Sequence, residues 1–265
     1  MSAPETSALQ GGEPRARGWY IYGIVPGDVE MNDDTRGVGN PPGKVGVVRH
    51  GDIAALVSEI DTSQPLGRPE DLLAHQQLLD SASTEAPILP LRFGAVVANQ
   101  EAVTGELLAP HHDAFAKALS ELEGCAEFVV HGRYVEEKIL AEVLSEDTEA
   151  ARLRDGIRAA GDEDATRDEQ IRLGELISYA ITAKREADTR AAGDAIASHC
   201  VATSVRQPAH ELDAVNVALL VKTAEQAGLE KAVEKLARDW TGRVNMRLLG
   251  PMAPYDFVTT SQPGS

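Results

Sequence analysis

Trp19-Tyr-Ile-Tyr-Gly-Ile-Val25 is the stretch that decides the fold of the first half of the chain. Its residues are apolar at successive positions, which is typical of a strand that is buried on both faces at the centre of a sheet. Further on, Val45 to Arg49 and Ile53 to Glu59 flank His50-Gly51-Asp52. This pattern predicts a β-hairpin with a short glycine turn beside the central strand.

Helices and strands alternate after the hairpin. A helix is predicted to begin near Pro69, because proline suits the first helical turn. Its apolar stripe is expected to consist of Leu72, Leu73, Leu78 and Leu79. A strand over residues 87–97, a helix over residues 103–123 and a strand from Glu127 to Val135 follow.

This order of elements predicts an α+β fold, with helices on one face of a small and mainly antiparallel sheet. A ferredoxin-like two-layer sandwich with a split βαβ unit fits the number and spacing of the elements. We expect this N-terminal domain to span residues 18–135. Residues 1–17 are rich in Ser, Pro, Gly and Glu and lack an apolar run, which predicts a disordered tail rather than a signal peptide.

The middle of the chain has a helical periodicity. Apolar residues from Ile139 to Leu144 form one stripe, and residues 145–170 are strongly charged. A second stripe starts at Ile171 and can continue to near Cys200, and such a helix of about 30 residues would be ~45 Å long. We expect an antiparallel helical hairpin with a solvated turn near Gly161. Its Ala-rich stripe is either the seam between the two helices or a face for a partner.

The last part of the chain returns to a mixed pattern of strands and helices. A strand from Asp213 to Val221, a helix from Leu229 to Trp240 and a strand from Val244 to Leu249 are predicted. This unit is too small to bury a core alone. We therefore assign it, with the helical hairpin, to a C-terminal domain over residues 136–260, followed by a tail over residues 261–265.

The segment Leu248-Leu-Gly-Pro-Met-Ala-Pro-Tyr-Asp-Phe-Val258 is apolar, aromatic and broken by two prolines. Proline lacks the N–H group of a sheet ladder, so this segment cannot run through the centre of a sheet. Its aromatic side chains need a place to be buried, either on a core or on a partner. We expect Tyr255 and Phe257 to be largely buried against the protein's own domains.

The charge balance argues against two classes of partner. The chain has 42 acidic and 25 basic residues, which gives a formal net charge of −17. Phosphate backbones and anionic lipids repel such a chain, so we expect neither nucleic-acid binding nor membrane docking. No apolar run approaches the ~20 residues of a membrane helix. Cys125 and Cys200 fit reduced thiols, and the chain is therefore predicted to be cytoplasmic.

No residue pattern indicates a catalytic centre, a cofactor or a metal. Gly39-Asn-Pro-Pro-Gly-Lys44 lacks the residues of a phosphate loop, and His210-Glu-Leu-Asp213 lacks the second histidine of a zinc-protease helix. Arg92 is the most notable charge, because its neighbours are apolar. We expect it to form a salt bridge at the sheet edge. In an alternative class of function, Arg92 and Glu59 would contribute to the pocket of a small-molecule-sensing regulatory protein.

Three segments, taken together and in order, resemble the GvpL/GvpF family of gas vesicle proteins. They are Tyr20 to Val25, Pro90-Leu-Arg-Phe-Gly-Ala-Val-Val97 and Leu248 to Val258, and the resemblance covers residues 18–260. The family's closing motif usually reads closer to Gly-Pro-Trp-Pro-Pro-Tyr-Ser-Phe, whereas Met252, Ala253 and Asp256 stand at its variable positions here. The motif residues that we take as candidates for interaction are Tyr20, Tyr22, Arg92, Phe93, Gly250, Pro251, Tyr255 and Phe257.

The resemblance implies a non-enzymatic, cytoplasmic accessory protein of gas vesicle formation, without catalytic residues, cofactor or metal. It implies an N-terminal ferredoxin-like domain and a C-terminal domain that combines a modified ferredoxin-like sheet with long helices. Proteins of this family are thought to bind the major shell protein and to support its assembly together with other accessory proteins. Some are thought to remain in the vesicle as minor shell components. The L-type and F-type branches both fit the motifs.

Overall fold

The computed structural model describes residues 17–160 and 166–258, and it divides into two compact units at Glu123 and Gly124. Each unit is built on its own antiparallel sheet. The predicted tails and the predicted turn near Gly161 lie outside the described residues. Within the described ranges, no helix is long and apolar enough to cross a membrane.

The first unit has a five-stranded sheet whose centre is the predicted strand. β1 (Arg17–Pro26) lies between β3 (Ile53–Asp61) on one side and the two short strands β4 (Leu89–Pro90) and β5 (Val96–Val97) on the other. β2 (Val45–His50) pairs with β3 as the predicted hairpin. Most residues of β1 and β3 are buried on both faces, which explains the continuous apolar run around Tyr20.

Two helical segments complete the first unit. α1 (Pro69–Glu85) begins at the predicted proline. A continuous segment follows, made of α2 (Gln100–Ala102), a π-helical stretch (Val103–Leu108) and α3 (Ala109–Leu122).

The predicted apolar stripe of α1 is only half right. Leu78 and Leu79 are buried together with Asp71 and His75, whereas Leu72 and Leu73 are 48% and 53% exposed. The reason is helical geometry, because Leu78 and Leu79 follow Asp71 and His75 at spacings of three, four, seven and eight residues. Leu72 and Leu73 are rotated away from that face.

The second unit has a four-stranded sheet in the order β7-β8-β6-β9. Its strands are β6 (Cys125–Tyr134), β7 (Ala202–Val205), β8 (Asp213–Lys222) and β9 (Val244–Met252). The prediction that the strand at Glu127 closes the first sheet is wrong, because this strand lies between β8 and β9 and pairs with both. Its alternation showed that it is a strand, but alternation does not name the partner strands. The short strand β7 follows the predicted helical region and was not predicted.

The helices of the second unit are α4 (Glu136–Glu146), α5 (Thr148–Ala160), α6 (Arg167–Ile196) and α7 (Gln226–Asp239). The predicted long helix is present as α6, whose 30 residues pack on β8, α5 and α7. The other arm of the predicted hairpin is broken at Asp147, whose carboxylate accepts hydrogen bonds from the N–H groups of Glu149 and Ala150. Aspartate favours this kind of cap, and it starts a new helix there.

Arg243 joins these helices to the start of β9. Its guanidinium lies 2.8 Å from a carboxylate oxygen of Glu142 on α4 and 2.9 Å from one of Asp188 on α6. The buried hydroxyl of Tyr134 donates to Asp188 at 2.6 Å. A bridge between three elements holds α6 in a defined position over the sheet.

Candidate functional site

Three candidate residues of the first two motifs, Tyr20, Tyr22 and Phe93, meet in an aromatic cluster of the first unit. Tyr20 and Tyr22 are fully buried, and their ring centroids are 4.8 Å apart. The ring of His75 on α1 lies 5.7 Å and 5.8 Å from these two rings. Phe93 lies 5.8 Å from Tyr20 and 5.6 Å from His75. These distances are typical of packed aromatic pairs.

Hydrogen bonds fix the two tyrosines of the cluster. The hydroxyl of Tyr22 is 2.8 Å from Ser58 Oγ and accepts the N–H of Val38 at 2.8 Å. The hydroxyl of Tyr20 is 2.9 Å from His75 Nδ1. Burial raises the pKa of Tyr22 and lowers the pKa of His75, so both side chains are held neutral. The cluster is therefore an internal anchor between the sheet, α1 and the loop at Val38.

Arg92 lies on the outside of the first unit. Its side chain is exposed, and within the described ranges no acidic side chain pairs with it. The predicted salt bridge is not formed among the described residues, where Leu91 faces inward and Arg92 faces outward. Glu59 instead lies 2.8 Å from Arg17. Glu59 lines a groove at the edge of the first sheet, and Arg92 is not among the residues that line it.

The closing motif contains a shift in the register of β9 at Gly250 and Pro251, opposite Phe128. Gly250 has a φ of 124°, and a Cβ atom there would lie 2.8 Å from the carbonyl oxygen of Glu127. Only glycine combines this backbone conformation with such a close approach. Beyond Pro251, Ala253 is fully buried, while Tyr255 and Phe257 are half-buried and thus less covered than expected.

A buried carboxylate connects this tail to the sheet. Glu127 on β6 has no exposed surface, and its Oε1 lies 2.7 Å from Nη2 of Arg206, just after β7. Its Oε2 accepts the N–H of Asp256 at 3.0 Å. The same guanidinium also donates to Asp256, through Nε at 3.0 Å and through Nη2. One positive charge thus serves two carboxylates from different parts of the chain.

The two carboxylates titrate in opposite directions. Burial, together with the neighbouring Asp256, raises the pKa of Glu127 to about 8. Burial also opposes the charge on Asp256, but its hydrogen bonds with Arg206 and Glu127 outweigh this and hold its pKa below the usual range. At neutral pH the cluster therefore contains a protonated Glu127, an ionised Asp256 and the arginine cation, which together are neutral.

Glu127 makes stability depend on pH. The pKa of Glu127 rises from 4.5 to about 8 on folding. Its contribution to the free energy of unfolding is therefore fully present below pH 4.5 and is lost as the pH rises through 8. The loss follows a slope of up to ~1.4 kcal/mol per pH unit. Asp256 acts with the opposite sign and only below its ordinary value of 3.8.

We expect Glu127→Gln to remove this slope between pH 5.5 and 8.5, because glutamine is neutral like the protonated acid. Urea unfolding followed by Trp240 fluorescence in a Trp19→Phe background measures it, since the chain has only these two tryptophans. Glu59→Gln, on an exposed side chain, is the matched control and should keep the wild-type slope. If wild type, Glu127→Gln and Glu59→Gln show the same dependence of the unfolding free energy on pH, the raised pKa of Glu127 is contradicted.

An open groove of about 730 Å³ lies beside β7 in the second unit. One wall is α6, from Thr182 to Asp194, and the other includes Thr203 and Val205 of β7 and the following residues 206–208. α6 covers β8 but not β7, and Val205 is 66% exposed. We call this the α6–β7 groove. Sequence periodicity missed it, because it missed β7.

The described residues do not favour metal binding or reactions of a cysteine thiolate. In the described part of the chain, no group of three His, Cys, Asp or Glu side chains could hold a metal ion. Burial raises the pKa of both Cys125 and Cys200, which disfavours the reactive thiolate. The strongly perturbed groups, Glu127 and Tyr134, are engaged in internal contacts.

Comparison with known proteins defines the class. The family model described as "Gas vesicle synthesis protein GvpL/GvpF" matches residues 18–259. Gas vesicle protein F of Streptomyces sp. (strain CB03234) is 31% identical, and the match covers 90% of this chain and 98% of that protein. Gas vesicle protein F of Dolichospermum flosaquae is 24% identical over 90% of this chain and 96% of its own length.

A solved structure has the same fold. The crystal structure of the gas vesicle protein GvpF from Anabaena sp. PCC7120 superposes with a TM-score of 0.73 at 23% identity, over 92% of this chain and 99% of that one. The mixed fold with two antiparallel sheets and a long helix is therefore confirmed. The chain belongs to the GvpL/GvpF family, as the three motifs indicated, and its role is in gas vesicle formation.

Proposed function

We propose that the chain is a non-enzymatic accessory protein that binds the major gas vesicle shell protein and supports its assembly. The observation that carries this proposal is the family match along nearly the whole chain, from residue 18 to residue 259. The protein acts in the cytoplasm at the growing vesicle, with other gas vesicle accessory proteins as further partners. It either leaves after assembly or stays as a minor shell component.

The charge of the chain supports this role. A shell subunit that has not yet assembled exposes apolar surface and unpaired strand edges, which aggregate in water. A bound protein with a formal net charge of −17 keeps such a complex dispersed, because like-charged complexes repel each other. A predominantly acidic chain therefore suits a protein that keeps the shell subunit in solution before assembly.

The proposal is tested by co-expression and by deletion. We expect the full-length chain, carrying an affinity tag, to recover the major shell protein from a co-expression lysate. We also expect deletion of its gene to abolish or malform the vesicles. The proposal is wrong if the tagged chain recovers no shell protein and the deletion strain still forms normal vesicles.

The small-molecule sensor is less well supported by the geometry. Of its two candidate polar groups, Glu59 lines the groove at the edge of the first sheet, and Arg92 is not among the residues that line that groove. A thermal-shift screen of the purified chain against common metabolites tests this alternative. A reproducible rise in the melting temperature that Arg92→Ala abolishes would favour the sensor.

A further inference from the structure

The outer edge of β7 lacks the usual protection of an edge strand. Natural sheet edges carry lysine, proline, bulges or covering segments that prevent pairing with another chain. The strand Ala202-Thr-Ser-Val205 contains neither a charge nor a proline, and its register with β8 is regular. The ladder is irregular only at the preceding Val201, whose N–H donates to the carbonyl oxygen of Leu220, the residue opposite Ala202. The opposite edge, β9, carries Arg247, Pro251 and a shift of register.

The register between β7 and β8 shows which backbone N–H and C=O groups of β7 point away from β8. The N–H of Arg206 donates to the carbonyl oxygen of Asn216, and Ala202 and Ser204 lie in the same phase of the ladder. The N–H and C=O groups of Thr203 and Val205 therefore face away from β8. Within residues 17–160 and 166–258, no strand pairs with this edge.

The α6–β7 groove lies on the helix side of the same edge. The side chains of Thr203 and Val205 point into it, and across from them α6 presents Thr189 and Gly193. Small residues on the helix leave room for the side chains of an added strand. Val201, at the start of the edge, is also 52% exposed.

The charges that line the groove cancel. On α6 the positive and negative side chains that line the groove are equal in number, and they are Arg185, Arg190, Glu186 and Asp194. Arg206 and Asp213 also line the groove, but both are already paired within the second unit. A neutral groove in a chain with a net charge of −17 favours an uncharged ligand over a basic one. A second copy of this chain is disfavoured, because two such acidic molecules repel each other.

We propose that an extended, uncharged segment of the shell subunit adds to β7 as a fifth strand and places alternate side chains in the α6–β7 groove. The inference rests on the proposed function, since it names the surface and the chemistry of that binding. Strand addition draws affinity from main-chain hydrogen bonds and specificity from the pockets for alternate side chains. The length of β7 limits the added segment to about four to six residues.

The test compares Val205→Pro with Val205→Thr in the full-length chain. Proline removes one outward N–H and places its ring at the open edge, but it leaves the ladder to β8 intact. Threonine is also β-branched and keeps the N–H. Each tagged variant is co-expressed with the major shell protein, and the captured shell protein is measured per molecule of bait. We expect a loss of at least about tenfold for proline and less than about twofold for threonine.

Thermal melting establishes that both variants are folded, and both should melt within a few degrees of wild type. Equal capture by Val205→Pro and wild type would overturn the role of β7 and leave the proposed function standing. If wild type captures no shell protein, both fail. If wild type is a dimer that Val205→Pro converts to a monomer with unchanged capture, the occupant is a second copy and the inference is wrong.

Discussion

Replacing Arg206 by methionine is expected to destabilise the second unit by about 3 kcal/mol, because it leaves the ionised Asp256 without its cation and the buried Glu127 without its guanidinium partner. Glu127 is fully buried and cannot be rehydrated without opening the sheet. The loss is placed at the lower end of the range for buried ion pairs, since the Arg206 side chain is 33% exposed. Urea unfolding followed by Trp240 fluorescence, in a Trp19→Phe background, measures the loss.

Two further variants make this prediction specific. Adding Glu127→Gln and Asp256→Asn to Arg206→Met removes the uncompensated charge of Asp256 and the buried acid at Glu127, and it should recover at least about 1 kcal/mol. Arg172→Met is the matched control, because Arg172 is 53% exposed and pairs with Glu149 and Glu175 on the surface. We expect it to cost less than about 1 kcal/mol. An Arg206→Met protein as stable as the Arg172→Met protein would refute the shared-cation account.

Gly37→Ala is expected to destabilise the first unit by about 3 kcal/mol through a steric clash. A Cβ atom at this position would lie 1.7 Å from the hydroxyl oxygen of Tyr22. The hydroxyl cannot move aside, because Ser58 and the N–H of Val38 hold it and the ring is fully buried. The loop at Gly37 must therefore leave its place, and Trp19 fluorescence in a Trp240→Phe background reports the change.

The control for this substitution is Gly46→Ala on β2. No atom lies within 4 Å of a Cβ built there, so the same change should stay within about 0.5 kcal/mol of wild type. Tyr22→Phe should relieve the clash of Gly37→Ala only in part, because Cζ would remain 2.7 Å from the new methyl group. Wild-type stability of Gly37→Ala would show that this loop does not depend on Tyr22.

Local patterns predicted the elements whose physical cause is local. The apolar run at Tyr20 predicted the central strand, and the glycine turn at Gly51 predicted the hairpin. The periodicity after Ile171 predicted the long helix. β7 was missed because Ala202-Thr-Ser-Val205 is short and has no strong preference for strand over helix.

From the sequence, Glu127 could be recognised only as an acidic residue that needs a partner, and the partner could not be identified. Glu127 precedes an apolar strand interior at Phe128, and an acid at such a position needs a partner. The partners are 79 and 129 residues away along the chain, at Arg206 and Asp256. No spacing rule connects residues at these distances, so the pairing follows from the fold alone.

The sequence by itself determined the family, the mixed fold, the long helix and most of the strands, because motifs and periodicity depend on neighbours along the chain. The tertiary structure decided which sheet holds β6, which way Arg92 and Leu72 face, and that Arg206 closes the charge balance around Glu127. It also revealed the open edge at Val205. These features depend on which strands pair and which surfaces stay uncovered, and such choices are made between segments that are distant in sequence.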